Sequence, residues 1–144
     1  MDRSQRMTRS LADVRVEVAN FNNAFPRPGM EPLELSEAFS IPEDWRPGSS
    51  YPNSALPGAY FFFGPNQELL YIGSTVGLGQ RIGNEYVGRK GVLKTKKFTG
   101  RKVVLGKAKT LRTIGVPVDR FFEAMAIEAF LIRRLQPPGN TNLR

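Results

Sequence analysis

The sequence predicts a small α+β domain preceded by a helix and a proline-rich arm. Three observations carry that prediction. Apolar residues recur at steps of three and four near both ends, and a continuous aromatic run is followed, after a glycine-proline turn, by a second apolar run. Seven of the eleven prolines also fall between residues 26 and 57. With 144 residues, 40% of them apolar, the chain can bury one core but not two of ordinary size.

Ser10 followed by Asp13 is written like a capping box, and Leu11, Val14, Val18, Phe21 and Phe25 then share one helical face. A helix is expected over about residues 11 to 24, with its stripe laid on the main domain. The segment 1–57 is read as this helix plus an acidic arm bearing Glu31, Glu34, Glu37, Glu43 and Asp44. Prolines make regular structure scarce there. Leu33, Leu35, Phe39, Ile41, Trp45 and Tyr51 would be wasted on a free tether, so the arm should pack along the domain surface.

The domain proper is read as residues 58–144. Gly58 to Gly64 and Leu69 to Gly73 form a buried hairpin around Gly64-Pro65-Asn66. Leu78 to Ile82 begin a helix, weakened by Gly77, Gly79 and Gly83. One or two strands are expected within residues 102–116, where Val103, Val104, Leu105, Leu111, Ile114 and Val116 favour them. Asp119 is placed to cap a last helix that runs through Phe122, Met125, Ala126, Ala129 and Ile132 to Leu135, before Pro137 and Pro138 stop it.

Charge is divided unevenly. Residues 1–57 hold six basic and eight acidic side chains, whereas residues 58–144 hold fifteen and five, so the second half should meet a polyanion. Residues 89–112 alone hold ten cations and no acid. The absence of histidine and cysteine excludes disulfides, thiolate nucleophiles, the common zinc sites and the usual neutral-pH base. Any catalysis must use carboxylate, tyrosine, lysine or arginine. No apolar run of about 18 residues could span a bilayer, and the basic amino terminus lacks a signal-peptide core. A cytoplasmic location and no membrane partner are expected.

Gly58-Ala-Tyr60 followed by Tyr71-Ile-Gly73 resembles the two-part signature of the GIY-YIG nuclease superfamily, with the tyrosines eleven residues apart. Arg81, ten residues beyond Tyr71, falls where members carry an arginine on their first helix. Glu128 lies in the last helix, and twelve residues later Asn140 closes Gln136-Pro-Pro-Gly-Asn140. That ending is similar to the nuclease domain of bacterial excision-repair incision subunits. The resemblance spans roughly residues 58 to 142. It implies a central three-stranded, mostly antiparallel sheet flanked by helices. It also implies a divalent-metal-dependent endonuclease that hydrolyses DNA phosphodiester bonds, with double-stranded DNA as partner.

The five residues suit that chemistry. Glu128 would hold one ion, Mg2+ or Mn2+, as a hard oxygen ligand completed by water and phosphate. Arg81 can fork onto the scissile phosphate and stays charged throughout. The resemblance implies that Tyr60 activates or positions the attacking water and that Tyr71 assists it or binds phosphate. A free phenol, with a pKa of about 10, would need nearby positive charge for that work. Asn140 could hold a phosphate or brace the site. The bland counterpart for Glu128 is a buried salt bridge to Arg81 or Arg133.

Lys90, Lys94, Lys96, Lys97, Arg101 and Lys102 are candidate phosphate contacts, giving affinity without sequence readout. The chain departs from the family at Glu85, where a histidine or tyrosine is common, and at Ser74, where lysine or histidine is common. Tyr86 or Lys90, Lys94, Lys96 and Lys97 are candidate substitutes. Those departures sustain an alternative reading, a nucleic-acid-binding module on the same scaffold without turnover. A third reading has the acidic arm covering the basic site or recruiting a partner chain. A stand-alone or restriction-like role is favoured over homing, and a restriction-like enzyme would be expected as a homodimer.

Overall fold

A computed structural model of the chain describes residues 8–41, 51–82 and 106–141, without the side chains of Gln80 and Arg81. In chain order its elements are α1 (Leu11–Ala24), β1 (Phe39–Ser40), β2 (Gly58–Phe63), β3 (Leu69–Thr75) and α2 (Leu78–Arg81). They continue with β4 (Thr110–Gly115), a 3-10 turn (Val118–Arg120), α3 (Phe121–Leu135) and α4 (Pro138–Thr141). The fold is α+β, and no helix among the described residues is long and apolar enough to cross a membrane.

The sheet is antiparallel, in the order β1-β4-β2-β3. Central β2 is buried at all six positions, which is why its sequence is an unbroken apolar run rather than an alternation. Ala59, Phe61 and Phe63 point to one face, where Ile72 and Ile114 join them under α1 and α3. Tyr60 and Phe62 point to the other, with Tyr71, Leu111, Leu78, Ile82 and the arm residues Phe39, Ile41 and Tyr51. Burying each such side chain is worth about 1.5–3 kcal/mol, so both faces hold β2 in place. The register slips between Phe62 and Phe63, leaving Leu70 as an extra residue that puts Tyr71 on the Tyr60 face.

The capping box of α1 forms, with the Asp13 amide donating to Ser10 Oγ at 3.2 Å and the Ser10 amide to Asp13 Oδ2 at 2.9 Å. Val14, Val18 and Phe21 are its buried stripe. Leu33, Leu35, Phe39, Ile41 and Tyr51 are buried as well, while Trp45 lies outside the described residues.

Two expectations need correction. Among the described residues the sheet has four strands rather than three, because Phe39 and Ser40 of the arm pair with Leu111 and Thr110 and add a short outer strand. Such a two-residue strand leaves no periodicity to read. Of the one or two strands expected within residues 102–116, one is present at Thr110–Gly115, and positions 102 to 105 lie outside the described residues. Asp119 does not cap α3. It sits inside the 3-10 turn started after Pro117, so the cap position falls to Arg120, which offers no side-chain bond.

One interaction had no sequence signal beyond its residue types. Glu123, 6% exposed, accepts from Arg27 Nε at 2.7 Å and Nη2 at 2.9 Å, and from Arg120 Nη2 at 3.1 Å. The Arg27 guanidinium also donates to the Glu31 carbonyl and so pins the start of the arm to the head of α3. The hydrogen bonds from Arg27, followed by those from Arg120, hold the Glu123 carboxyl at about 2 against an ordinary 4.5, although burial alone would raise it.

A folded value below the unfolded one stabilises above pH 4.5, and that contribution is lost as pH falls toward 2. Glu123→Gln should therefore cost about 2–4 kcal/mol at pH 7 and flatten the acid limb of the stability curve. Urea unfolding between pH 2 and 7 checks this. An unchanged acid limb would remove Glu123 as its source.

Candidate active site

The site is built along β3, an edge strand. Leu69 to Ile72 supply the apolar contacts that hold it, and Gly73 and Ser74 continue it where its neighbour β2 begins at Gly58. Four of the five sequence-identified residues meet β3 between positions 71 and 74, and the fifth follows on α2.

Tyr71 belongs to β3 and Tyr60 to β2. Their rings are tilted at 42° with centroids 6.1 Å apart on one sheet face. Tyr60 lies opposite Gly73, and a Cβ on Gly73 would come within 2.4 Å of both its hydroxyl oxygen and its Cζ. The glycine of Tyr71-Ile-Gly73 is thus needed because the phenol of Tyr60 lies across the strand there. Both tyrosines are buried, at 1% and 6% exposure. On the other side of Tyr60, the neighbouring position of β4 is Thr113. Its hydroxyl donates to the Pro52 carbonyl at 2.7 Å and accepts from Asn53 Nδ2 at 3.0 Å.

Ser74 is the next residue after Gly73 and lies opposite Ala59, so it faces the α3 side. There its hydroxyl donates to Glu128 Oε1 at 2.5 Å. Glu128 is half-buried, projecting from the flank of α3 whose Ala124, Ile127 and Leu131 are buried against the sheet. Tyr60 and Glu128 therefore approach two consecutive residues of one strand from opposite faces. The sequence alone marked Ser74 only as a departure from a family pattern. Its role as partner to Glu128 was illegible because it depends on register.

Asn140 closes the outer edge of β3. Its Nδ2 donates to the Ile72 carbonyl at 2.8 Å, and its Oδ1 accepts from the Ile72 amide at 2.9 Å. One side-chain amide thus imitates a neighbouring strand. Gly139 permits the approach, since a Cβ there would meet the Leu70 carbonyl at 2.6 Å. Of the two jobs open to Asn140 in the sequence, this geometry performs the bracing one.

The backbone of Arg81 ends α2. That helix is held from the end of the arm. The Leu78 amide donates to the Leu56 carbonyl at 3.1 Å, the Gly79 amide to the Ser54 carbonyl at 2.9 Å, and the Tyr51 hydroxyl to the Gly79 carbonyl at 3.1 Å. Burial pushes the Tyr51 phenol up to about 12, so it stays a donor at physiological pH. The Arg81 side chain, Glu85, Tyr86, Lys90, Lys94, Lys96, Lys97, Arg101 and Lys102 lie outside the described residues.

Glu128 supplies a hard anionic oxygen at a half-exposed position, the ligand type that a divalent cation such as Mg2+ takes. No protein-family model matches the chain, and no curated protein matches it.

Removing the Asn140 brace should loosen the strand before it unfolds the domain. Asn140→Ala leaves two backbone groups of Ile72 without their partner, at a cost of about 1–3 kcal/mol. Amide exchange at Ile72 should then accelerate well beyond that at Phe61 on central β2. Equal protection in the variant and the parent chain would show that another group closes this edge.

Proposed function

We propose that the chain is a metal-dependent endonuclease of the GIY-YIG type that hydrolyses phosphodiester bonds of double-stranded DNA. The observation that carries this reading is the gathering of Tyr60, Tyr71, Glu128 and Asn140 around four consecutive residues of β3, with Arg81 on the helix that follows. The basic second half of the chain supports a polyanionic substrate.

In this reading the edge of β3 at Gly73 and Ser74 faces the scissile phosphate. Arg81 grips a non-bridging oxygen through two parallel hydrogen bonds and offsets the charge that grows there in the transition state. Tyr60 and Tyr71 present phenols that orient the attacking water and share its proton. Glu128 provides the ligand for Mg2+ or Mn2+, which supplies Lewis acidity to the phosphate oxygens when bound. Asn140 acts by holding the strand that carries Tyr71. Lys90, Lys94, Lys96, Lys97, Arg101 and Lys102 are assigned to flanking phosphates.

The burial of both phenols favours a second reading in which they serve packing and the scaffold binds DNA without cutting it. Supercoiled plasmid with magnesium separates the two. Nicking should appear in the parent chain and fall by about a hundredfold or more in Glu128→Gln, Arg81→Ala and Tyr60→Phe, with DNA affinity changed far less. Salt-sensitive binding without nicking under any divalent ion would decide for the second reading. Nicking that persists in Glu128→Gln would end the assignment of the metal ligand.

A further inference from the structure

We propose that Ser74 is a positioning residue, whose hydroxyl holds the Glu128 carboxylate in the arrangement that receives the divalent cation. This inference rests on the nuclease reading and deepens it at one side chain.

The geometry has three parts. Ser74 is fixed by its strand, because its cross-strand partner Ala59 is fully buried on β2, itself buried throughout. Glu128 projects from the side of α3 toward that strand, and the two side chains meet at 2.5 Å. Serine is also short. Its Cβ stands directly on the backbone, so the position of Oγ follows the strand with one torsion to settle, whereas the glutamate has three. The rigid partner therefore orders the flexible one.

The chemistry of the donor sets the consequence. A hydroxyl takes one of about four acceptor positions on a carboxylate and leaves its charge at −1. Ser74 thus orients Glu128 while preserving the charge that attracts the cation. Groups that orient metal ligands commonly change affinity by about 10- to 100-fold when removed.

The test measures metal binding apart from turnover. The full chain, without DNA, is titrated with Mn2+ while free Mn2+ is followed by electron paramagnetic resonance. Ser74→Ala should weaken binding about tenfold, and Ser74→Thr should stay near the parent because its hydroxyl is kept. The Mn2+ concentration giving half-maximal plasmid nicking should move in the same order, with KM for DNA unchanged and the rate of Ser74→Ala recovering at saturating metal. Thermal unfolding identifies any variant that fails to fold, and Ser74→Cys, close to serine in size but a weak donor, then carries the comparison and should bind Mn2+ as weakly as Ser74→Ala.

Parent-like Mn2+ binding in Ser74→Ala, while Glu128→Gln loses binding and nicking, overturns the role of Ser74 alone. Parent-like binding and nicking in Glu128→Gln ends the assignment of Glu128 as metal ligand, and the role of Ser74 with it, whereas a parent chain that nicks under no divalent ion overturns the nuclease reading.

Discussion

An edge strand exposes a row of backbone donors and acceptors, and in this fold the strand that carries the candidate chemistry is an edge strand. β3 solves the problem in pieces. At Leu69 its amide donates to the Arg9 carbonyl at 2.8 Å, from the chain just ahead of α1. At Ile72 both backbone groups are taken by the side chain of Asn140. Among the described residues the polar groups are met without a full neighbouring strand, so β3 stays pinned while its far end at Gly73 and Ser74 remains next to Glu128 and Tyr60. A complete fifth strand would have satisfied the same backbone but covered the edge where these side chains converge.

That arrangement explains which parts of the fold were legible in the sequence. α1 and the β2-β3 hairpin were written locally: a cap, a helical stripe, a double-faced apolar run and a turn at Gly64-Pro65-Asn66. In that turn the Gly64 amide donates to the Glu68 carbonyl and the Asn66 amide to Glu68 Oε1. The end of α3 was written locally too, in Pro137 and Pro138, and Gln136 ahead of them takes a positive φ of 48°. Features that depend on register or on contacts distant along the chain were not legible. β1 exists because two arm residues find β4, and Ser74 meets Glu128 because the bulge at Leu70 and the pairing with Ala59 set which way it points. Asn140 was identified by its spacing, but its job follows from its distance to Ile72 and from nothing in its neighbours.

The arm illustrates the same division. Its apolar residues told of packing, yet its relation to α2 is carried largely by backbone groups that no composition reveals. The carbonyls of Ser54 and Leu56 receive the first amides of a short helix that offers no side-chain cap of its own. A four-residue helix beginning among glycines has little intrinsic stability. Its placement, and with it the backbone position of Arg81, is imposed from residues 51 to 57. The stretch that composition separates from the domain is therefore a structural part of the same site.

α3 carries two carboxylates five residues apart, and their surroundings give them different work. Glu123 faces α1 and the arm, where two guanidiniums surround it and hold its carboxyl near 2. A carboxylate so engaged is permanently ionised but spent on joining elements of the fold, and a metal would have to displace Arg27 to use it. Glu128 lies on another flank of the helix, half-exposed at the edge of β3, where the Ser74 hydroxyl donates to its Oε1. In the sequence Glu128 stands among Ala126, Ile127, Ala129 and Phe130, surroundings that would make an unpaired charge costly. In the fold the burden of burial falls on Glu123, and because Arg27 and Arg120 offset it there, α3 can pack one face tightly while presenting Glu128 at the other.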